Sequence, residues 1–211
     1  MFGYNEILAG FLVLEGIDGA GTSTQRQLVA QALAATGKTV YDTWEPTESA
    51  IGRLIRSALK AEIDLEPGTI ARLFAADRYE HIEGTNGIRQ ALDRGERVVC
   101  DRYVLSSLAY QGLLIGDDQV WQLNQNFPLP ECLVFIDVDQ HISAERRLRR
   151  GGIEEIYEES DFQGKVRLAY RRHLDALESA RPDVRIGRFD GRLEIQTLHR
   201  EICGFLGIAP I

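Results

Sequence analysis

Apolar residues along this chain follow two rhythms. Short runs such as Phe11–Glu15, Arg97–Asp101 and Cys132–Asp137 are apolar at most positions, the pattern of strands covered on both faces. Thr39–Trp44 and Val184–Phe189 bring the predicted strands to five. Longer stretches between them repeat their apolar residues at helical spacing. They predict helices over about Ser23–Ala35, Ala50–Lys60, Thr69–Gly84, Thr85–Arg94, Val104–Tyr110, Ala144–Arg150, Phe162–Ala180 and Leu193–Leu206. Gly37 follows the first of these as a natural stop. Strand–helix alternation with right-handed crossovers predicts an α/β fold, a parallel five-stranded sheet flanked by helices in three layers. Ligands in such sheets bind beyond the carboxyl ends of the strands. Gly16–Ser23, Glu45–Thr47, Asp101–Tyr103 and Asp137–Asp139 all fall at such ends and are expected to converge on one crevice.

Composition narrows the function classes. At 211 residues the chain is read as one domain, residues 1–211, long enough to bury a three-layer core. No repeat, low-complexity tract or linker interrupts it. A net charge of −8 argues against duplex nucleic acid as the main partner. No stretch of 18 apolar residues predicts a membrane span, no basic-then-apolar leader precedes the first strand, and the cytoplasm is the expected location. Cys100, Cys132 and Cys203 lack metal-like or disulfide-like spacing, and Cys100 and Cys132, which fall inside apolar runs, are read as core thiols.

The chemistry is concentrated in Phe11–Gln25, FLVLEGIDGAGTSTQ. This reads as a phosphate-binding loop, G-x-x-x-x-G-K-[ST], with one position changed. Gly16 and Gly21 have the required spacing, and Gly19 adds freedom between them. Residues Gly16, Ile17, Asp18, Gly19, Ala20, Gly21, Thr22, Ser23 and Thr24 are the candidate ATP cradle, a nest of backbone N–H groups closed by a helix N-terminus. Ser23 offers a hydroxyl oxygen for Mg²⁺. Thr22 stands where a lysine would bridge the β- and γ-phosphates, so another cation must neutralise the donor, or activity is lost.

Further along, EPT at Glu45–Thr47, IGRLIRSAL at Ile51–Leu59, LFAADR at Leu73–Arg78, DRYVLSSLAYQG at Asp101–Gly112 and FIDV at Phe135–Val138 recur in one order. Together with EGIDGAG they resemble the thymidylate kinases from Phe11 to about Tyr170. The resemblance implies the fold of P-loop monophosphate kinases, with a small mobile lid at about residues 149–162. It implies transfer of the ATP γ-phosphoryl to dTMP with Mg²⁺, and a homodimer.

The same resemblance assigns roles. Phe74 is similar to the aromatic that stacks on thymine, and Arg78 to the arginine that bonds its carbonyl. Arg102 resembles the acceptor-phosphate arginine, with Asp101 holding Arg102 or Mg²⁺-bound water. Asp18 resembles the carboxylate beside the sugar 3′-hydroxyl and the phosphoryl path, and Glu45 is expected to assist there or at Mg²⁺-bound water. Ser106, Ser107, Tyr110 and Gln111 line the nucleoside pocket, Tyr110 crowding the 2′ position. Arg56 either reaches the acceptor phosphate or lies on a solvated helix face.

Three departures remove positive charge: Thr22 in the loop, Trp44 in place of the arginine before Glu-Pro, and Ile156 at the lid's arginine position. ERRLRR at Glu145–Arg150 offers replacements, because Arg146, Arg149 and Arg150 share a helix face at i, i+3 and i+4. Lys165 and Arg167 follow the lid. Arg149 or Arg150 is expected to swing onto the ATP phosphates as the lid closes about Gly151–Gly152. The bland alternative pairs these arginines with Glu154, Glu155, Glu158, Glu159 and Asp161. Two other functions fit the motifs: a kinase of another deoxynucleotide such as dUMP, and a nucleotide-binding regulator without catalysis.

Overall fold

Strands that are apolar on both faces must be covered on both faces, and the architecture does that. A computed structural model of the chain describes residues 1–3, 5–151, 156–157 and 159–211, with Arg150 described by its backbone alone. Five strands, β1 (Ile7–Gly16), β2 (Val40–Trp44), β3 (Arg97–Asp101), β4 (Leu129–Asp137) and β5 (Arg185–Asp190), form one sheet in the order β2-β3-β1-β4-β5. Every pairing is parallel. Phe11, Val13, Leu14, Val98, Val99, Cys100, Val134 and Ile136 are buried at the centre.

Ten helices are described: α1 (Thr22–Ala35), α2 (Ala50–Leu59), α3 (Pro67–Glu83), α4 (Ile88–Asp93), α5 (Val104–Tyr110), α6 (Gly112–Ile115), α7 (Asp117–Asn124), α8 (Gln140–Arg150), α9 (Ser160–Ala180) and α10 (Ile195–Leu206). Of these, α6 and α7 correspond to no predicted helix. They are short and broken at Gly116, whose φ of +90° suits glycine. The predicted starts at Ala144 and Phe162 lie a few residues inside α8 and α9, whose first turns are polar. β1 and β4 extend toward their N-termini past the apolar runs, through a register shift between Leu8 and Leu12. The three cysteines are buried and unpaired. Among the described residues no helix is long and apolar enough to cross a membrane.

The register aligns the strand ends. Leu14 and Trp44 both lie opposite Asp101, and Gly16 lies opposite Ile136. The loops after β1, β2 and β3 therefore open on one side of the sheet, where the chain divides between its two halves. The predicted lid spans the link between α8 and α9, of which residues 152–155 and 158, including Gly152, Glu154, Glu155 and Glu158, lie outside the described residues.

Candidate active site

Above the strand ends lies a single cleft of about 910 Å³. Its wall includes Gly19–Thr24 from the loop, Glu45 and Pro46 from the end of β2, and Phe74 and Arg78 from α3. Asp101, Arg102, Ser106, Ser107, Tyr110 and Gln111 follow β3, and Arg146, Arg147 and Arg149 come from α8. Most sequence-predicted site residues are thus together. Ile17 is buried in the core, so only its main chain is at hand for a ligand. The side chain of Arg150 lies outside the described residues.

The loop turns on two glycines in the left-handed region, Gly19 at φ +84° and Gly21 at φ +100°. Gly21 caps α1, whose first N–H groups have no carbonyl within the helix to receive them. These donors and the positive helix end suit a polyphosphate. Gly19 also permits a close approach. A Cβ there would sit 2.6 Å from the Ser143 carbonyl oxygen and 3.2 Å from Arg147 Cγ, so α8 packs directly on the loop.

Ser23 donates its hydroxyl to Asp101 Oδ2 at 2.5 Å. Asp101 is buried, and its Oδ1 has no hydrogen-bond partner. An orphaned carboxylate oxygen beside a hydroxyl on the cleft wall is a hard-oxygen donor set that fits Mg²⁺, which keeps waters and needs few protein ligands. Among the described residues no three His, Cys, Asp or Glu side chains cluster to form a closed metal cage.

Arg102, on the cleft wall just past β3, has φ +71°, a conformation uncommon for a residue with a side chain. It donates to Asp18 Oδ1 at 2.7 Å and to the Gly16 carbonyl at 3.0 Å. Asp18 Oδ2 receives the Tyr110 hydroxyl at 3.0 Å and Gln163 Nε2 at 2.8 Å. Tyr110 thus holds Asp18 as well as lining the cleft, and burial raises its phenol pKa. Asp101 takes Ser23 rather than Arg102, so Arg102 is held by Asp18 and the loop carbonyl.

Behind Arg102, Glu15 is fully buried and accepts from Tyr103 N–H, the Ser106 hydroxyl at 2.6 Å and the Tyr170 hydroxyl at 3.0 Å. Burial raises its pKa, opposed by these bonds and by Arg102. Glu15, Tyr170 and Gln163 escaped sequence reasoning because they lie 64 to 155 residues from partners such as Ser106 and Tyr170.

Glu45 and Arg78 meet in a buried ion pair, Arg78 Nη2 and Nε lying 2.7 and 2.9 Å from Glu45 Oε2. Arg78 also donates to Asn124 Oδ1 and to Ser107 Oγ. His81 lies 3.1 Å from Glu45 Oε1 and 2.7 Å from the Thr43 hydroxyl. Asp77 fixes the adjoining turn, accepting from Thr47 N–H and from the Thr47 and Ser49 hydroxyls. Arg56 donates to the carbonyls of Pro46 and Thr47 and pairs with Glu48, so in this state it braces the turn. Phe74 is half-buried on the cleft wall above this cluster.

Of the ERRLRR arginines, Arg146 is half-buried and Arg149 exposed on the cleft wall. Arg147, absent from the predicted face, is buried and reaches the loop: its Nη1 donates to the Asp18 carbonyl at 2.8 Å. Arg167 pairs with Asp137 and Asp139, and Lys165 is exposed. Arg26, one turn into α1, lies 2.8 Å from Asp42 and over the Trp44 ring at 4.5 Å. Ile156 of the lid donates its N–H to the Leu59 carbonyl at 2.9 Å, and Tyr157 stacks on Phe162 at 5.5 Å.

Comparison with known proteins agrees with this geometry. The family model for thymidylate kinase matches residues 14–202. A Treponema pallidum protein named "Putative thymidylate kinase" is 40% identical over 196 residues, covering 93% of this chain and 94% of its own. One from Methanocaldococcus jannaschii named "Probable thymidylate kinase" is 34% identical over 200 residues, 95% and 97% of the two chains. A "Thymidylate kinase" of Bifidobacterium longum is 38% identical over 176 residues, 76% and 81% of the two.

Proposed function

Because the chain belongs to the thymidylate kinase family, we infer that it transfers the γ-phosphoryl group of ATP to dTMP, giving dTDP and ADP. One observation carries this reading: a single cleft joins the glycine loop to Phe74, Arg78 and Arg102, leaving room for two nucleotides end to end. A dTMP phosphate oxygen forms a bond to the γ-phosphorus while the bond from that phosphorus to the β–γ bridging oxygen breaks. ADP carries away the electron pair. The acceptor oxygen is already anionic, so no strong base is required, and positioning with charge neutralisation supplies the rate.

Asp18, Arg102, Arg149 and Arg150 are the proposed catalytic residues. Arg102 orients the acceptor phosphate, and Arg149 and Arg150 close on the donor from the lid helix. Loop residues Gly16–Thr24 hold the ATP phosphates. Glu45, Phe74, Arg78, Ser106, Ser107, Tyr110 and Gln111 hold dTMP beside Asp18 and Arg102. Phe74 supplies stacking, and the buried Glu45 fixes the direction of Arg78. Ser23 and Asp101 would hold Mg²⁺, which when bound neutralises phosphate charge. Lid closure excludes water and suppresses idle hydrolysis of ATP. A homodimer belongs to the same reading and is checked by sedimentation equilibrium.

Purified protein supplied with ATP and Mg²⁺ is expected to form dTDP, with dTMP preferred over dUMP, dCMP and dGMP in competition. Failure to form dTDP under these conditions overturns the assignment. Replacing Asp101 by asparagine is expected to raise the Mg²⁺ concentration needed for half-maximal turnover by about tenfold or more, because it removes one of few protein ligands. An unchanged Mg²⁺ titration would remove Asp101 from the proposed metal site.

A further inference from the structure

Thr22 is buried under the loop, its Cγ2 only 3.1 Å from where a Cβ on Gly16 would be. The first turn of α1, Thr22–Gln25, carries no charged side chain. The loop's amides can cradle phosphate, but the loop brings no cation of its own. Its carbonyls nevertheless face two guanidinium groups. Arg102 donates to Gly16 O, and Arg147 donates to Asp18 O.

These two arginines stand in different places. Arg102 is drawn to the Asp18 carboxylate and belongs to the strand end beside the acceptor residues. Arg147 crosses from α8 over Gly19, is further held by Ser143 Oγ at 3.1 Å, and is buried while still forming part of the cleft wall. Elsewhere on that wall Arg149 is exposed, Arg26 lies against Asp42 and Trp44, and Arg192 is exposed and bonded to Asp190. Gly19 is what admits Arg147, because any side chain there would collide with Ser143 and the stem of Arg147.

We propose that Arg147 is the standing positive charge at the donor phosphates, doing from α8 what a lysine at position 22 would do from α1. With ATP bound, its guanidinium donates to the β/γ-phosphate oxygens from beside the Asp18 carbonyl. A guanidinium suits this because it can bond a carbonyl and a phosphate at once, while an ammonium acts as a point charge. The proposal rests on the phosphoryl-transfer reading above and names the cation that reading requires. It also ties the loop to the helix that leads into the lid, so donor charge and lid position share one element.

Moving the charge tests this. Wild type, R147Q, T22K and the double variant T22K/R147Q are purified, checked by thermal melting, and assayed for dTDP formation and for binding of ATP and AMP. R147Q is expected to lower kcat by about 10²-fold and to weaken ATP by about tenfold while leaving AMP within about threefold. T22K alone is the reference for the double variant, and its kcat and ATP affinity are measured in the same assays. The double variant is expected to recover at least about tenfold over R147Q, which a merely structural arginine would not allow.

R147Q within about threefold of wild type in kcat and ATP affinity overturns the proposal, as does equal loss of ATP and AMP affinity without rescue. If R147Q does not fold, a crystal structure of the wild type with a non-hydrolysable ATP analogue decides: the Arg147 guanidinium within hydrogen-bond distance of a β- or γ-phosphate oxygen supports the proposal, and its absence from both overturns it. Wild type that forms no dTDP defeats the functional reading instead, and the ATP-against-AMP comparison still judges Arg147.

Discussion

Replacing Arg102 by alanine is expected to lower kcat for dTDP formation by about 10³-fold with little change in melting temperature. The side chain donates to the Gly16 carbonyl and to Asp18 Oδ1, so it spans the junction of phosphate loop and acceptor side. Removing a preorganised donor aimed at developing phosphate charge costs about 10²–10³-fold, and arginines that neutralise a transferring phosphoryl reach 10³–10⁵-fold. Arg102 is also Asp18's salt-bridge partner, which places its effect toward the upper part of the first range. Arg102→Lys retains the charge but not the planar fork, and an intermediate loss is expected. Steady-state kinetics with each nucleotide varied in turn, alongside circular dichroism, separates turnover from folding. A kcat within tenfold of wild type in Arg102→Ala would assign Arg102 a structural role.

The second large effect is on stability. Glu45→Ala is expected to destabilise the fold by about 3–5 kcal/mol, because it strands the Arg78 guanidinium without its buried counter-ion. Arg78 is 1% exposed, and its Nη2 and Nε both reach Glu45 Oε2 within 2.9 Å. His81 loses a partner as well. For a chain of this size that corresponds to a fall in Tm of about 10 °C. Glu45→Gln keeps the shape and one acceptor and is expected to cost about 2 kcal/mol. Replacing both partners by well-packed apolar residues should restore much of the stability while abolishing dTMP binding, since Arg78 lines the cleft. Urea unfolding measures the first quantity and calorimetric titration the second. A loss below 1 kcal/mol in Glu45→Ala would mean that water or a rearranged carboxylate reaches Arg78.

The lid geometry explains why these effects are separable. Gln163, at the start of α9, bonds both the Asp18 carboxylate and the Tyr157 carbonyl, so it joins the loop to the lid. The Glu45–Arg78 cluster lies on the other side of Arg102, among α3, α5 and α7, and shares none of those contacts. The first group surrounds the glycine loop, and the second lies on the Phe74 side of the cleft.

How much of this could be read from the sequence depends on the range of the interaction. The three central strands were legible because a parallel sheet buried on both faces demands near-continuous apolar runs such as LVFI or FLVL, whereas the edge strands β2 and β5 are largely half-buried or exposed and showed only shorter, mixed patterns. The phosphate loop was legible because its requirement is local: glycines at set spacing between a strand and a helix. Helices α6 and α7 escaped because their turns are too short to show a period. Packing buries Val120 and Asn124 of α7 and Gly112 of α6.

The arginines of Glu145–Arg150 mark the boundary most clearly. Helical spacing put Arg146, Arg149 and Arg150 on one face, and spacing alone had no means to choose which face meets the loop. The choice rests on the missing side chain of Gly19, more than 120 residues earlier in the chain, which lets α8 pack on the loop and Arg147 reach the Asp18 carbonyl. By itself the sequence determined the strands, the order of the motifs, the glycine turn and the fact that its cation is missing, because each is set by neighbours along the chain. Tertiary structure alone decided which carboxylate holds which arginine and where positive charge returns to the loop, because those depend on which distant side chains the sheet brings within hydrogen-bond reach.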